Sequence, residues 1–209
     1  MKNNDGGGAA ADREVRSFLG EVRTESQNEQ PTKIIGYAAV FNSRSEPMYG
    51  FREIIAPGAF DDVLQDDVRG LFNHDPNYVL GRTTSNTLAI SVDAHGLRYE
   101  ITAPDTQTIK DLVVAPISRG DVNQSSFAFR VAPGGERWYE DDEGVVIREI
   151  TKFSRLYDVS PVTYPAYRAA DSSVRSLENW KQQRSGEELT HKTRIEKESR
   201  ARELDMLSF

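Results

Sequence analysis

A histidine at a predicted bend is the best candidate in this chain for a catalytic base. His74 lies in the stretch LFNHDPNY, after an apolar pair and before Asp75 and Pro76. The proline disfavours helix at the preceding residue, so we expect the histidine where an element ends, and such ends often present active groups. A loop histidine without a catalytic role is the alternative. His95, in a predicted hairpin turn, and His191, in a charged C-terminal segment, are weaker candidates.

Two adjacent serines, Ser125 and Ser126, lie where a glycine-containing turn leads into the predicted strand SFAFRVA. A serine hydroxyl is a weak nucleophile until a neighbouring base removes its proton, and His74 is the base that the sequence offers. In the alternative reading, these hydroxyls only cap or solvate the end of a strand. The residues alone do not choose between the two serines.

A histidine base needs a third group that orients the ring and stabilises the imidazolium. Asp158 lies in the apolar stretch LYDVSPV, so we expect it to be at least partly buried and therefore to have partners. Asp75 is a rival, although adjacent side chains in a bend seldom face each other. A Ser–His–acid arrangement is thus possible on residue types, and the residues alone do not establish it.

Short strands must position these groups. Alternating apolar residues at 88–92 and 97–101, joined by DAHG, predict a β-hairpin. Helical spacing within residues 105–118 predicts a helix that ends at Pro116, and the spacing after Phe60 predicts a shorter one. A meander with turns at 133–135 and 141–144 follows. Two prolines then restrict the segment 156–167 to an edge strand or an irregular strand end.

The composition divides the chain into three parts. Residues 1–12 are rich in Gly, Ala and Asn and are predicted to be flexible. Residues 13–170 carry the strands and two short helices, which favours a barrel or a sandwich. Residues 171–209 are dense in Glu, Lys, Arg and Gln and are predicted to form a charged helical or disordered tail.

Several functions are disfavoured by composition. The net charge of −7 argues against a general nucleic-acid binder. The absence of cysteine and a total of three histidines argue against a metal centre, and we expect no cofactor. No apolar run approaches the roughly 20 residues of a membrane span, and the first residues lack the apolar region of a signal peptide. We therefore expect a soluble, intracellular protein that does not bind membranes.

A set of motifs adds a resemblance. In chain order the motifs are GYAAVFN (36–42), FREIIAPGAF (51–60), LFNHD (71–75), LGRT (80–83), GLRYE (96–100), SSFAF (125–129) and LYDVSPVTYPAY (156–167). Together they closely resemble the prohead (capsid maturation) proteases of HK97-like tailed bacteriophages. The resemblance covers about residues 33–168, nearly the whole predicted core.

The resemblance implies a serine endopeptidase whose fold is similar to the herpesvirus assemblins. The expected fold class is α+β, mainly β: a closed β-barrel wrapped by short helices, with the charged tail outside it. The histidine of the NHD motif corresponds to His74 as catalytic base, and the serine before the Phe of the SFxF motif corresponds to Ser126 as nucleophile. The acid before VSPV corresponds to Asp158, where many relatives have Glu. The assemblins use a second histidine there, but neither His95 nor His191 lies in a matching motif.

The resemblance also implies a setting. Such proteases are enclosed in the immature capsid in the host cytoplasm, cut the scaffolding segment of the major capsid protein, and then digest themselves. The expected partners are thus the major capsid protein and its scaffolding segment, with self-association possible. The tail 171–209 suits a segment that binds the scaffold during assembly, and a merely solvated tail is the alternative.

Two other functions are weighed against this one. A non-enzymatic scaffold or assembly chaperone would keep the fold without the activity, but His, Ser and an acid all stand at motif positions. A generic serine esterase would need a G-x-S-x-G elbow followed by an acid and a histidine. This chain lacks that elbow, and its order is histidine, serine, acid.

Overall fold

The computed structural model of the protein describes residues 13–18, 22–26, 31–164 and 171–206. The predicted flexible segment 1–12 lies outside these ranges. The strands are β1 (Glu14–Phe18), β2 (Arg23–Glu25), β3 (Lys33–Val40), β4 (Arg52–Ile55), β5 (Arg69–Phe72), β6 (Asp75–Arg82), β7 (Leu88–Val92), β8 (Gly96–Thr102), β9 (Gln124–Val131), β10 (Glu136–Glu140), β11 (Val146–Ile150) and β12 (Phe153–Val162). They all precede residue 171, where a second compact unit begins.

The strands form three sheets. The largest has the order β1-β9-β12-β5-β6, and only its β12–β5 pairing is parallel. An antiparallel sheet has the order β2-β3-β8-β7. The third sheet has the order β10-β11-β4 and joins the meander hairpin to β4 by a parallel pairing. The predicted hairpin of β7 and β8 and the meander turns are present as expected.

The expected closed barrel is wrong. The class α+β, mainly β, agrees with the elements, but none of the three sheets closes on itself within the described residues. A 3₁₀ turn, Thr83–Ser85, followed by Asn86 in the left-handed region (φ 56°), separates β6 from β7. This turn passes the chain from β6, at one edge of the largest sheet, to β7, at one edge of the antiparallel sheet, and no strand pairing joins these two edges in the ranges that the structure describes. An open arrangement of sheets is the result.

An aromatic cluster forms the centre of the core between these sheets. Phe60 packs 4.5 Å from Phe153 and 5.7 Å from Phe127, measured between ring centroids, and Phe129 packs 4.7 Å from Phe127. All four rings are buried. Because Phe127 and Phe129 alternate along β9 with smaller residues, one face of this strand is held against the core and the other is free to carry polar groups.

Two helix predictions need correction. Around Phe60, residues 57–66 form consecutive turns instead of a short helix, although Phe60 and Val63 are buried as their spacing suggests. The predicted helix over 105–118 is present as α1 (Gln107–Ile109), a π-helical turn (Lys110–Val114) and α2 (Ala115–Arg119). Pro116 does not end it, because the proline lies in the first turn of α2, where no backbone N–H is required. Gly120, at φ 82°, ends it instead.

The proline-containing segment is not an edge strand, because β12 lies between β9 and β5. Pro161 is tolerated because β5 pairs only with Asp158 and Val159, so no ladder bond on that side is lost. The second proline of the segment lies outside the described residues. The second unit contains the 36-residue helix α3 (Asp171–Met206). No helix in the described ranges is both long and apolar enough to span a membrane.

Candidate active site

A tight turn between β5 and β6 presents His74. The turn has two residues, Asn73 and His74, and Phe72 pairs with Asp75 across it. Both turn residues have positive φ, 56° and 59°, as a type I′ hairpin turn requires. A left-handed conformation costs a non-glycine residue roughly 1–2 kcal/mol. The surrounding structure therefore holds the backbone of the histidine in a conformation that is intrinsically unfavourable for this residue.

Asn73 attaches this turn to the end of β12. Its N–H donates to the carbonyl of Pro161 at 3.0 Å. Its Oδ1 accepts hydrogen bonds from the backbone N–H of Thr163 at 2.9 Å and from the Thr163 hydroxyl at 3.1 Å. Since β12 also carries Asp158, these bonds fix the histidine relative to the acid.

The two serines of β9 point to opposite faces of the sheet. The Ser125 hydroxyl lies 2.8 Å from the phenolic oxygen of Tyr99, and both residues are fully buried on the core side. Burial raises the pKa of Tyr99 well above its ordinary value, so the phenol stays neutral. Ser126 is on the other face, with its Oγ 2.6 Å from Nε2 of His74. Strand alternation thus separates a structural serine from one that contacts the histidine.

A β-bulge brings Asp158 to the same face as Ser126. Leu156 pairs with Phe129, but Asp158, two residues on, pairs with the next residue of β9, Ala128. Without this extra residue, the side chain of Asp158 would point toward the phenylalanine core, because a register shift of one residue reverses the face. The bulge therefore decides that the carboxylate meets the histidine.

The three predicted residues form one chain of hydrogen bonds. Nδ1 of His74 lies 2.5 Å from Oδ1 of Asp158, and Nε2 lies 2.6 Å from Oγ of Ser126. An ionised carboxylate can only accept, so Nδ1 carries the proton and Nε2 presents its lone pair to the serine. This tautomer is the one that a general base requires.

Two further side chains contact Asp158, and our sequence reasoning missed both. The hydroxyl of Ser160 donates to Oδ1 at 3.0 Å, and the guanidinium of Arg13 donates to Oδ2 at 2.5 Å. The i, i+2 spacing in DVS could have indicated Ser160, because such residues share a face of a strand. Nothing in the sequence pairs Arg13 with a residue so distant.

The rival candidates lie elsewhere. Asp75 accepts hydrogen bonds from the backbone and side chain of Asn77, at 2.8 and 2.9 Å, and makes a local turn. His95 packs edge-on against Tyr37, with ring centroids 4.6 Å apart, in the turn between β7 and β8. His191 lies on α3, in the other unit. No cluster of metal-ligating side chains occurs in the part of the chain that the structure describes.

Strand β1 covers the candidate nucleophile. β1 pairs antiparallel with β9 and places Ser17 opposite Ser126. The Ser126 hydroxyl also lies 2.8 Å from the carbonyl oxygen of Arg16, to which it can donate. Ser126 is fully buried, whereas the His74 side chain is 16% exposed. A hydroxyl has one proton, so this carbonyl competes with the imidazole for it.

A buried ion network attaches β1 to the third sheet. Arg16 donates to both carboxylate oxygens of Glu53, at 2.8 and 3.0 Å, and Arg148 donates to both oxygens of Glu14, at 2.7 and 3.0 Å. Arg148 also contacts Glu53 and Glu136. All of these groups except Glu136 are almost fully buried. Paired geometry of this kind compensates the cost of burying charges.

The opposite charges around them keep Glu14 and Arg148 ionised. Burial raises the pKa of Glu14, but hydrogen bonds and charges from Arg148 and Arg16 outweigh it and bring this pKa below its ordinary value of 4.5. Burial lowers the pKa of Arg148, and the negative charges of Glu53, Glu14 and Glu136 reverse that shift and raise it. Glu14 and Arg148 are therefore charged at neutral pH.

A cleft leads from the surface to the acid. It has a volume of about 340 Å³ and is lined by Leu71, Pro76 and Tyr157 as well as by Arg13 and Asp158. The guanidinium of Arg13 also lies over the ring of Tyr157, 5.4 Å from its centroid. Arg13 therefore occupies the part of the cleft that lies nearest to the carboxylate.

Of three comparisons with known proteins, one found a match. Neither the curated proteins nor the solved structures contain a significant match to this chain. A family model, described as caudovirus prohead serine protease, matches residues 20–183 of the 209-residue chain. This match covers most of the polypeptide chain and includes His74, Ser126 and Asp158. The chain therefore belongs to the caudovirus prohead serine protease family, the hydrolases of bacteriophage capsid maturation.

Proposed function

We propose that this protein is a serine endopeptidase in which Ser126 is the nucleophile, His74 the general base and Asp158 the residue that orients the histidine. The observation that carries the proposal is the pair of short contacts on one imidazole ring, 2.6 Å to the serine oxygen and 2.5 Å to the carboxylate. Membership of the family supports the reaction class, and this geometry supports the proposed roles.

The proposed reaction has two halves. Ser126 attacks the carbonyl carbon of the scissile bond while Nε2 of His74 takes its proton, and the proton then passes to the leaving amine. Water, deprotonated by the same nitrogen, next attacks the acyl-enzyme and releases the acid product with the free serine. Asp158 holds Nδ1–H and stabilises the imidazolium that forms in each half. Ser160 and Arg13 contact the carboxylate and act through it.

We infer that the substrates are the scaffolding segment of the major capsid protein and the protease itself, inside the prohead in the host cell. Membership of a prohead protease family makes a capsid protein the expected substrate. The domain assignment follows: residues 13–170 carry the proposed chemistry, and the charged segment 171–209, which contains α3, is left for contacts during assembly.

The test is co-expression with the cognate major capsid protein. The unmodified protein should shorten the coat protein, and Ser126→Ala should leave it full-length. Ser125→Ala is the matched control, because it removes the neighbouring hydroxyl from the opposite face of the same strand. Equal processing by the unmodified protein and by Ser126→Ala would reject Ser126 as the nucleophile. Full-length coat protein in every case would favour the non-enzymatic scaffold.

A further inference from the structure

We propose that the edge of β9 covered by β1 is the peptide-binding edge of the protease, and that residues 13–18 occupy it as a built-in blocking strand until a substrate strand replaces them. The inference rests on the proposed function and adds to it an occupant, a binding mode and a substrate pattern. Four features of residues 13–18 and of the edge that they cover support this assignment.

The first feature is its position on the nucleophile's strand. β1 is the outermost strand of its sheet and pairs residue by residue with β9. Adding a strand to a sheet edge is a common way for proteins to bind extended peptides, because the main chain supplies the hydrogen bonds. Here the added strand places the carbonyl of Arg16 2.8 Å from the Ser126 oxygen and leaves that serine fully buried. No peptide can reach the hydroxyl while β1 is in place.

The second feature is a contact with the acid. Arg13, just before β1, donates to Asp158 at 2.5 Å. A positive charge on this carboxylate opposes its role, since the carboxylate must stabilise a positive imidazolium. The same six residues thus restrain the serine at one end and the acid at the other.

The third feature is that the buried charge of Arg148 keeps acidic partners when β1 is absent. Arg148 contacts Glu53 at 2.9 Å and Glu136 at 2.6 Å, and neither acid belongs to β1. If β1 leaves, Glu14 and Arg16 leave together, one negative and one positive charge. No buried charge is then left without a partner. An unpaired buried charge is what makes breaking such a network most costly.

The same pairing defines the peptide that fits. A substrate strand in the place of β1 would present its side chains to Arg148 and Glu53. Arg148 would receive an acidic residue, and Glu53 would receive a basic residue two positions later through its bidentate contact. The sequence Glu-Val-Arg-Ser-Phe of residues 14–18 is itself such a peptide. We therefore assign to this edge an extended peptide with the pattern acidic-x-basic.

The fourth feature is the extent of the family match, which begins at residue 20. Residues 13–18 lie before it, whereas Glu53, Ser126 and Arg148 lie within it. The occupant is thus outside the part of the chain that matches the family, and the edge that receives it is inside.

A reversible cross-link tests whether β1 must leave. The chain has no cysteine, so Val15→Cys with Ala128→Cys introduces a single pair at directly opposite positions of β1 and β9. Opposite residues in antiparallel strands have Cα atoms at disulfide distance. Labelling of Ser126 by a small fluorophosphonate is measured before and after reduction. We expect the oxidised form to label at least about ten-fold more slowly than the reduced form.

The control pair is Arg137→Cys with Glu149→Cys, which are opposite each other on β10 and β11 and do not contact the serine. Oxidation of this pair should leave labelling unchanged. Equal labelling of the oxidised and reduced β1 pair would overturn the blocking strand alone. Absence of labelling in every form, together with unprocessed coat protein, would overturn the proposed function as well.

A single substitution gives a second measurement that does not depend on the cysteine pair. Arg13→Ala removes a side chain that is 40% exposed, so it leaves no cavity, and labelling of Ser126 should become at least about three-fold faster. Arg155→Ala is the matched control: a 42% exposed arginine that makes one contact with Asp66. Unchanged or slower labelling of Arg13→Ala would contradict the proposal.

The substrate pattern is tested by competition in the Arg13→Ala protein. The peptide Glu-Val-Arg-Ser-Phe should slow labelling at a concentration about ten-fold lower than Arg-Val-Glu-Ser-Phe, in which the two charges are exchanged. Equal competition by both peptides, or none by either, would overturn the assignment of the pattern to Arg148 and Glu53.

Discussion

The imidazole of His74 contacts the hydroxyl of Ser126, 52 positions further along the chain, with 2.6 Å between Nε2 and Oγ. Neither residue reaches this position by local preference. The histidine is in a left-handed turn between two strands. The serine is on β9, an inner strand of the largest sheet, and β1 pairs with this strand. The proposed chemistry of this protein depends on that contact.

Replacing Asp158 by Asn tests the role of the carboxylate. The amide can donate a hydrogen bond to Nδ1, which favours the tautomer with its proton on Nε2. In that tautomer Nε2 has no lone pair to accept the proton of Ser126. We expect coat-protein cleavage to slow by about 10⁴-fold, as in serine proteases that have lost the correct tautomer. Asp75→Asn, which alters an acid whose carboxylate accepts hydrogen bonds from Asn77, should retain activity. Comparable rates for the two variants would contradict the assignment.

Asn73 allows the backbone strain to be separated from the side-chain anchor. Asn73→Ala and Asn73→Gly both lose the hydrogen bonds to Thr163, but only Ala keeps the cost of positive φ. We expect both variants to cleave more slowly, because the turn that holds His74 is no longer attached to β12. Denaturant unfolding should show the Ala variant to be less stable than the Gly variant by about 1 kcal/mol. A more stable Ala variant would show that the turn adopts another conformation.

Gly36 is predicted to be required by the buried Tyr99–Ser125 pair. A Cβ atom at this position would lie 2.6 Å from the phenolic oxygen of Tyr99. Gly36→Ala should therefore reduce the free energy of unfolding by about 1–3 kcal/mol, the usual cost of overpacking. Removal of that oxygen in the double variant with Tyr99→Phe should recover part of the loss. Additive losses in thermal or denaturant unfolding would argue against this contact.

Acid should loosen β1 through Glu14. Because the pKa of this group is lower in the folded protein than its ordinary 4.5, its contribution to stability is fully present above that value. The contribution is lost as the pH falls further and the folded carboxylate takes up its proton. Hydrogen exchange of residues 14–18, referenced to β3 at the same pH, should therefore accelerate below pH 4.5 in the unmodified protein. Glu14→Gln should show the faster relative exchange already at neutral pH, and the difference from the unmodified protein should shrink in acid. Identical relative exchange in both proteins at neutral pH would contradict the prediction.

Local pattern was enough for many elements. The alternation at 88–92 and 97–101 predicted the hairpin, and glycine-rich and acidic turns predicted the meander, because these structures need only neighbouring residues. The same kind of reasoning was wrong about Pro116 and about the turns after Phe60. In both places the outcome depends on how the segment packs, which spacing alone does not contain.

The closed barrel was wrong for a related reason. It came from a resemblance of motifs, and motifs report the residues around a site more directly than they report whether distant strand edges meet. The edge strands of each sheet, β1 and β6 in the largest one, do not pair with each other within the described residues.

By itself the sequence determined the residue types of the candidate site, the serine protease family through its motifs, and the strands that hold the groups. The tertiary structure decided which face each group occupies. One bulged residue in β12 turns Asp158 from the core to the serine, and strand alternation sends Ser125 to Tyr99. It also decided that Arg13 and β1 cover the site, since contact between residues 145 positions apart depends on the fold and leaves no periodic signal along the chain.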